Sequence, residues 1–252
     1  MRALRNTYAS LLLIAVVVAY ALSWLLPTYG HENRAGELTL LYAGLGVVLA
    51  SSKARKILGH VSTFIHEIAH CLAAAGVGAS PRKITYNPDS SGLALLEFPE
   101  KVGRIRHSLV FLAGYSGPGI CAGALATGIV TGRSPETLLF ATAATALALV
   151  LLVRNLWGAL VTSILTLIAL VATLNLPPSS AEALLSLLVG LFGTLGVRDA
   201  WDQLSLRESG DCDAACVARA IPLLSWKVVA AFQVLAAFVL AVGAIACLYI
   251  SG

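Results

Sequence analysis

Long apolar runs separated by short polar breaks organise this chain. The runs are Ala9–Leu26, Leu38–Ala50, Ile57–Val77, His107–Val130, Thr137–Val153, Leu156–Leu174, Ala181–Val197 and Ile221–Ile250. A helix needs about 20 apolar residues to cross a bilayer, and runs of this kind in series predict an all-α polytopic membrane protein with about eight transmembrane helices. The shorter runs would be tilted, re-entrant or buried by their neighbours. Arg2 and Arg5 precede the first run, which has no clean small-residue cleavage site after it and reads as a retained membrane helix.

One break has a different pattern. Ile84-Thr85-Tyr86 and Leu93–Phe98 are strand-like, and Asn87-Pro88-Asp89-Ser90-Ser91-Gly92 between them is dense in turn residues. This predicts a short β-hairpin at the membrane edge. It is either an ordinary connection or an edge with which another extended chain can pair, and Tyr86, Gly92 and Leu93 are its candidate substrate-binding residues. In the next run, Gly114-Tyr115-Ser116-Gly117-Pro118-Gly119 and Gly123 read as a packing surface. Gly119 and Gly123 have the small-xxx-small spacing that lets helices approach, and Pro118 would free a carbonyl.

Composition agrees with the membrane reading. Hydrophobic residues make up 58% of the chain and charged residues 12%, where a soluble domain carries about 25% charged. The net charge of +4 is mild and includes no basic run suited to nucleic acid. Cys71, Cys121 and Cys247 lie in apolar stretches as small core residues. Cys212 and Cys216 sit four apart in a polar loop, with disulfide, metal-ligand and inert readings all open.

His66-Glu67-Ile68-Ala69-His70 carries the chemistry. On a helix, positions i and i+4 share a face, so both imidazoles can point at one metal ion. Glu67 can then reach a water activated by that metal and serve as general base. Two imidazoles and a carboxylate suit a single Zn2+ and leave a fourth position open. Ionisable groups clustered in one turn of an apolar helix need a functional reason. The third ligand must come from elsewhere. Asp89 fits turn chemistry, Asp199 and Asp202 share a helix face if the seventh run continues, and Asp211 and Asp213 precede the last run. Asp213 could equally be a helix N-cap, and Asp199 could pair with an arginine.

With these residues in order, the chain resembles the site-2 proteases, which are intramembrane zinc metalloproteases. It is most similar to their small bacterial branch, which lacks an inserted peptide-binding domain. The likeness runs from about Ile57 to the C-terminus. It rests on His66–His70, the hairpin turn, Gly114–Pro118, Arg154-Asn155-Leu156-Trp157-Gly158, Gly196-Val197-Arg198-Asp199 and the acidic stretch before the last helix. It implies an N-terminal membrane region, 1–56, and an intramembrane metalloprotease core, 57–252. It implies His66 and His70 as zinc ligands, Glu67 as catalytic base and a distant aspartate as third ligand. The Leu-Asp-Gly motif of the best-known members is missing. Cys212-Asp213-Ala214 matches the Ser-Asp-Ala of the small branch apart from the cysteine, which favours Asp213, then Asp199, then Asp202.

The substrate so implied is a membrane-anchored protein with a transmembrane helix, cut within the lipid bilayer, in the inner (plasma) membrane of a bacterial cell. Loops around Arg82–Arg106, Arg154 and Arg198–Arg219 hold most of the basic residues and would face the cytoplasm, against the Lys53–Lys56 cluster and Arg133 on the other side. Rival readings are a membrane zinc hydrolase of another class, a catalytically silent scaffold or chaperone of the same fold, and a transporter.

Overall fold

The computed structural model describes residues 34–51, 55–100, 102–205 and 212–251. In chain order the elements are α1 (Arg34–Ser51), α2 (Arg55–Gly76), β1 (Ser80–Tyr86), β2 (Gly92–Glu97), α3 (Arg104–Val130), α4 (Ser134–Leu151), α5 (Leu156–Asn175), α6 (Pro178–Ser205), α7 (Asp213–Ala220) and α8 (Trp226–Ser251). Five of these, α3, α4, α5, α6 and α8, are long and apolar enough to cross a membrane.

The expected eight spans are therefore not all found. Ala9–Leu26 lies outside the described residues. In α1 the apolar segment among the residues whose side chains are described is Leu41–Ala50. α2 is less apolar than these five because one of its faces carries His60, Ser62, Thr63, His66, Glu67 and His70. The last run begins later than expected: α8 starts at Trp226, after a break at 221–225 containing Pro222, whose ring cannot continue a helix, and α7 is a separate eight-residue helix that ends at Ala220, before the run.

α6 is the central helix, packed on α1, α3 and α8 around a core of Val47, Leu185, Val189, Leu195, Ala237 and Ala241. Its contact with α1 is backbone on backbone. A Cβ on Gly190 would strike the Ala43 carbonyl, and one on Gly46 would meet the Leu187 carbonyl and come within 2.7 Å of the Leu191 nitrogen. Close approach of this kind maximises dispersion contact where lipid removes the hydrophobic drive between helices. α4 and α5 pair with each other and leave large apolar side chains such as Phe140, Leu147, Leu167 and Val171 exposed, as suits a lipid-facing surface.

The hairpin forms where its turn chemistry predicts. Ser90 adopts φ 68°, the Asp89 carboxylate accepts the Ser91 amide at 2.9 Å, and the Asn87 amide donates to the Ser91 carbonyl at 2.9 Å. The Ser91 hydroxyl, which donates to the same carboxylate at 2.7 Å, and then the Ser91 amide hold this exposed carboxyl below its usual range. β1 and β2 pair antiparallel, with Ile84 opposite Ala94 and Tyr86 opposite Gly92. On its other side β1 is tied to the α4–α5 connection. Ile84 donates to the Leu152 carbonyl and accepts from the Arg154 amide, and the Asn155 side chain receives the Tyr86 amide and donates to its carbonyl. Asn155 thus stands in for a strand residue.

Because helices α1 and α6 touch through backbone, Gly190→Val is expected to destabilise the protein by about 2 kcal/mol or more through overpacking. Thermal unfolding in detergent beside Gly243→Ala, a position with open space around it, checks this.

Candidate metal centre

α2 presents His66 and His70 one turn apart on its inner face, and α3 crosses that face at its glycines. A Cβ on Gly114 would lie 2.5 Å from His70 Nε2 and 2.6 Å from His66 Cε1. One on Gly117 would lie 2.6 Å from Ala69 Cβ. The next residues of α3 serve other helices: Pro118 touches Gly196 of α6, and Gly119 faces Leu240 of α8. Gly123 has open space around it, so the spacing of Gly119 and Gly123 marks one packing contact rather than two.

Asp213 stands at the start of α7, with Cys212 as the N-cap residue. The expected alternative of Asp213 as N-cap is thereby replaced. Its Oδ2 lies 3.1 Å from His66 Nε2 and 3.1 Å from His70 Nε2, and the two Nε2 atoms are 3.0 Å apart. Among the described residues this is the one group of three or more His, Cys, Asp or Glu side chains placed to hold a metal ion.

The donor set fits zinc. With bonds of 2.0–2.2 Å, a tetrahedral site has ligand-to-ligand edges of about 3.3 Å, near the three separations here. His70 Nδ1 lies 2.7 Å from the Val110 carbonyl, which can only accept. Nδ1 of a neutral His70 therefore carries the proton, and Nε2 turns its lone pair towards His66 and Asp213. Asp213 Oδ2 is fully enclosed and takes no ordinary hydrogen bond. A cation between these atoms would satisfy all three.

Glu67 is buried beside this group, with His66, His70 and Asp213 as its neighbours. Its carboxylate faces β2: the Ala94 backbone lies beside it, and a Cβ on Gly92 would come 2.9 Å from Oε1 and 2.6 Å from Thr63 Cγ2. Thr63 also donates to the Ser90 carbonyl at 2.6 Å, which fastens the turn to α2.

The other sequence candidates lie elsewhere. Asp199 accepts a hydrogen bond from Ser62 Oγ, one turn before His66, and neither it nor Asp202 joins the imidazoles. Tyr86 is buried against Phe64 with its backbone committed to Asn155, whereas Leu93 is exposed. Both Cys212 and Cys216 are free thiols, and Cys216 accepts from Arg219. Sequence reasoning missed Val110, whose backbone carbonyl orients His70, and the role of Asn155; a carbonyl leaves no trace in residue type, and a lone Asn between apolar runs was the only signal for the second.

Gly114→Ala is expected to weaken zinc binding about tenfold or more by pushing the imidazoles apart. Gly123→Ala, a position with open space around it, should leave binding unchanged. Zinc titration against a chromophoric chelator compares the two.

No curated protein and no solved structure matches this chain significantly. A family model does: that of the Peptidase M50B-like family matches residues 38–243, from α1 through most of α8. Members of the wider family are zinc metallopeptidases. With five membrane-capable helices among its described residues, this integral membrane protein belongs to the Peptidase M50B-like family, a site-2 protease family.

Proposed function

We propose that the protein is an intramembrane zinc metalloprotease that hydrolyses peptide bonds of membrane-anchored proteins. The observation that carries this reading is the convergence of His66 Nε2, His70 Nε2 and Asp213 Oδ2 beside the buried Glu67. His66, His70 and Asp213 would hold one zinc ion. When bound, zinc supplies Lewis-acid chemistry and makes water acidic enough to lose a proton near neutral pH.

The chain's own groups do the rest. Glu67 accepts the proton of the attacking water and returns it to the leaving amine. The Val110 carbonyl keeps His70 in the tautomer that offers Nε2. Ile84 and Tyr86 turn their backbone groups away from β2, so their antiparallel partners Ala94 and Gly92 turn theirs outward, towards Glu67. An unwound substrate segment can add to this edge as a strand. In pairing, it engages the Ala94 backbone beside the Glu67 carboxylate. Gly92 and Leu93 are the hairpin residues available to substrate, and Tyr86 supports them from behind. Most of the basic loops lie with the hairpin, which supports a cytoplasmic position for it in a bacterial plasma membrane.

The test is zinc content together with cleavage of a membrane-helix reporter by the same purified samples. Wild type should carry about one zinc per chain, and His66→Ala and Asp213→Ala should lose it. Glu67→Gln should keep zinc and lose cleavage by about a hundredfold or more. Wild type without zinc, or Glu67→Gln with full activity, would overturn the reading in favour of a silent scaffold. Gly92→Val separates the hairpin from the metal: zinc should stay bound while cleavage falls about tenfold or more, as β2 is lifted off Glu67.

A further inference from the structure

Two glutamines in the apolar interior have no part in the chemistry above. Gln203 of α6 and Gln233 of α8 are each 1% exposed. Polar side chains inside a membrane bundle are retained where they bond across helices. Here they form a directed chain. The Ala214 amide donates to Gln203 Oε1 at 3.0 Å, Gln203 Nε2 donates to Gln233 Oε1 at 2.7 Å, and Gln233 Nε2 donates to the Phe111 carbonyl at 3.3 Å.

Both ends of this chain abut the metal centre. Ala214 follows Asp213, and its amide is among the first-turn donors of α7 that have no partner within the helix. Cys212, the N-cap residue, makes no side-chain capping bond. Gln203 therefore caps α7 from another helix. Phe111 follows Val110, whose carbonyl orients His70, and stands one turn before Gly114, which lies against both imidazoles.

Resting on the zinc reading above, we infer that Gln203 and Gln233 are positioning residues for the third ligand, a relay that registers Asp213 on α7 to the same turn of α3 that sets His70. α7 has only eight residues, so its own helical bonds cannot hold Asp213 against distant imidazoles. The relay spans four helices and ties its position to the turn of α3 that also fixes the histidine.

The test uses the full chain in detergent, stripped of metal and titrated with Zn2+ against a chromophoric chelator. The d–d absorption of the Co2+ form and the thermal midpoint of the metal-free form are recorded on the same samples. Gln203→Met, close in volume and without a polar group, should weaken zinc binding about tenfold to a hundredfold and change the cobalt spectrum. Gln233→Met, which cuts the relay at its far end, should weaken it less. The double variant should match Gln203→Met, because the relay acts as a unit. Gln203→Glu, neutral when buried, can still accept from Ala214 and donate to Gln233, and should stay within about threefold of wild type.

Affinities within about threefold of wild type in all the methionine variants, with only the metal-free midpoint lowered, would overturn the inference and leave the pair as packing. Should Gln203→Met fail to fold, Gln233→Met decides by the same criterion. Failure of the zinc reading looks different: wild type itself takes up no zinc, or Asp213→Ala binds it as tightly.

Discussion

The close approach of α3 to the inner face of α2 is the constraint on which the rest depends. Gly114 and Gly117 carry no side chain where α2 presents two imidazoles and Ala69, so the helices meet almost backbone to backbone. Two consequences follow. The imidazoles are enclosed by a helix that also supplies the carbonyl orienting one of them. α3 then carries this register onwards, because its next residues, Pro118 and Gly119, seat against α6 and α8. α7, which bears Asp213, packs on both α3 and α8, so the carboxylate inherits its position from the same stack.

Low dielectric raises the stakes of every polar group in this region. An unpaired buried donor or acceptor there is costly, so satisfied polar contacts select one arrangement among many apolar packings. The interior polar bonds serve that end. Ser62 holds Asp199, Asn155 completes the backbone pairing of β1, and the glutamines link α7 to α3. The apolar residues supply area and dispersion but little specificity, since lipid and neighbouring helix are similar surroundings for leucine.

The hairpin joins this centre to the outside. β1 is pinned on one side by the α4–α5 connection and on the other by β2, which leaves the backbone of β2 as the edge nearest Glu67. Thr63 and Gly92 set how closely that edge approaches. Glu67 and the free edge of β2 are thus parts of one α2–hairpin unit rather than separate surfaces.

The membrane class, the hairpin with its Asn-Pro-Asp-Ser-Ser-Gly turn, and the shared face of His66 and His70 were legible in the sequence. Each depends on local rules: hydropathy over a helix length, turn preferences, and the 3.6-residue period. The number of spans was not legible in the same way, because reading apolar runs counts α2, one face of which carries His60, Ser62, Thr63, His66, Glu67 and His70, alongside the helices that are apolar all round. Choosing among Asp199, Asp202 and Asp213 was likewise beyond local rules. Each acid follows an apolar run, and only packing turns Asp199 to Ser62 and Asp213 to the imidazoles. The Val110 carbonyl and the Gln203–Gln233 relay were invisible for a related reason. A backbone acceptor has no residue signature, and two glutamines thirty positions apart become partners only when α6 and α8 pack together. The sequence by itself determined which groups exist and which face of their own helix they share; tertiary structure decided which distant groups meet, because that depends on how closely helices can approach.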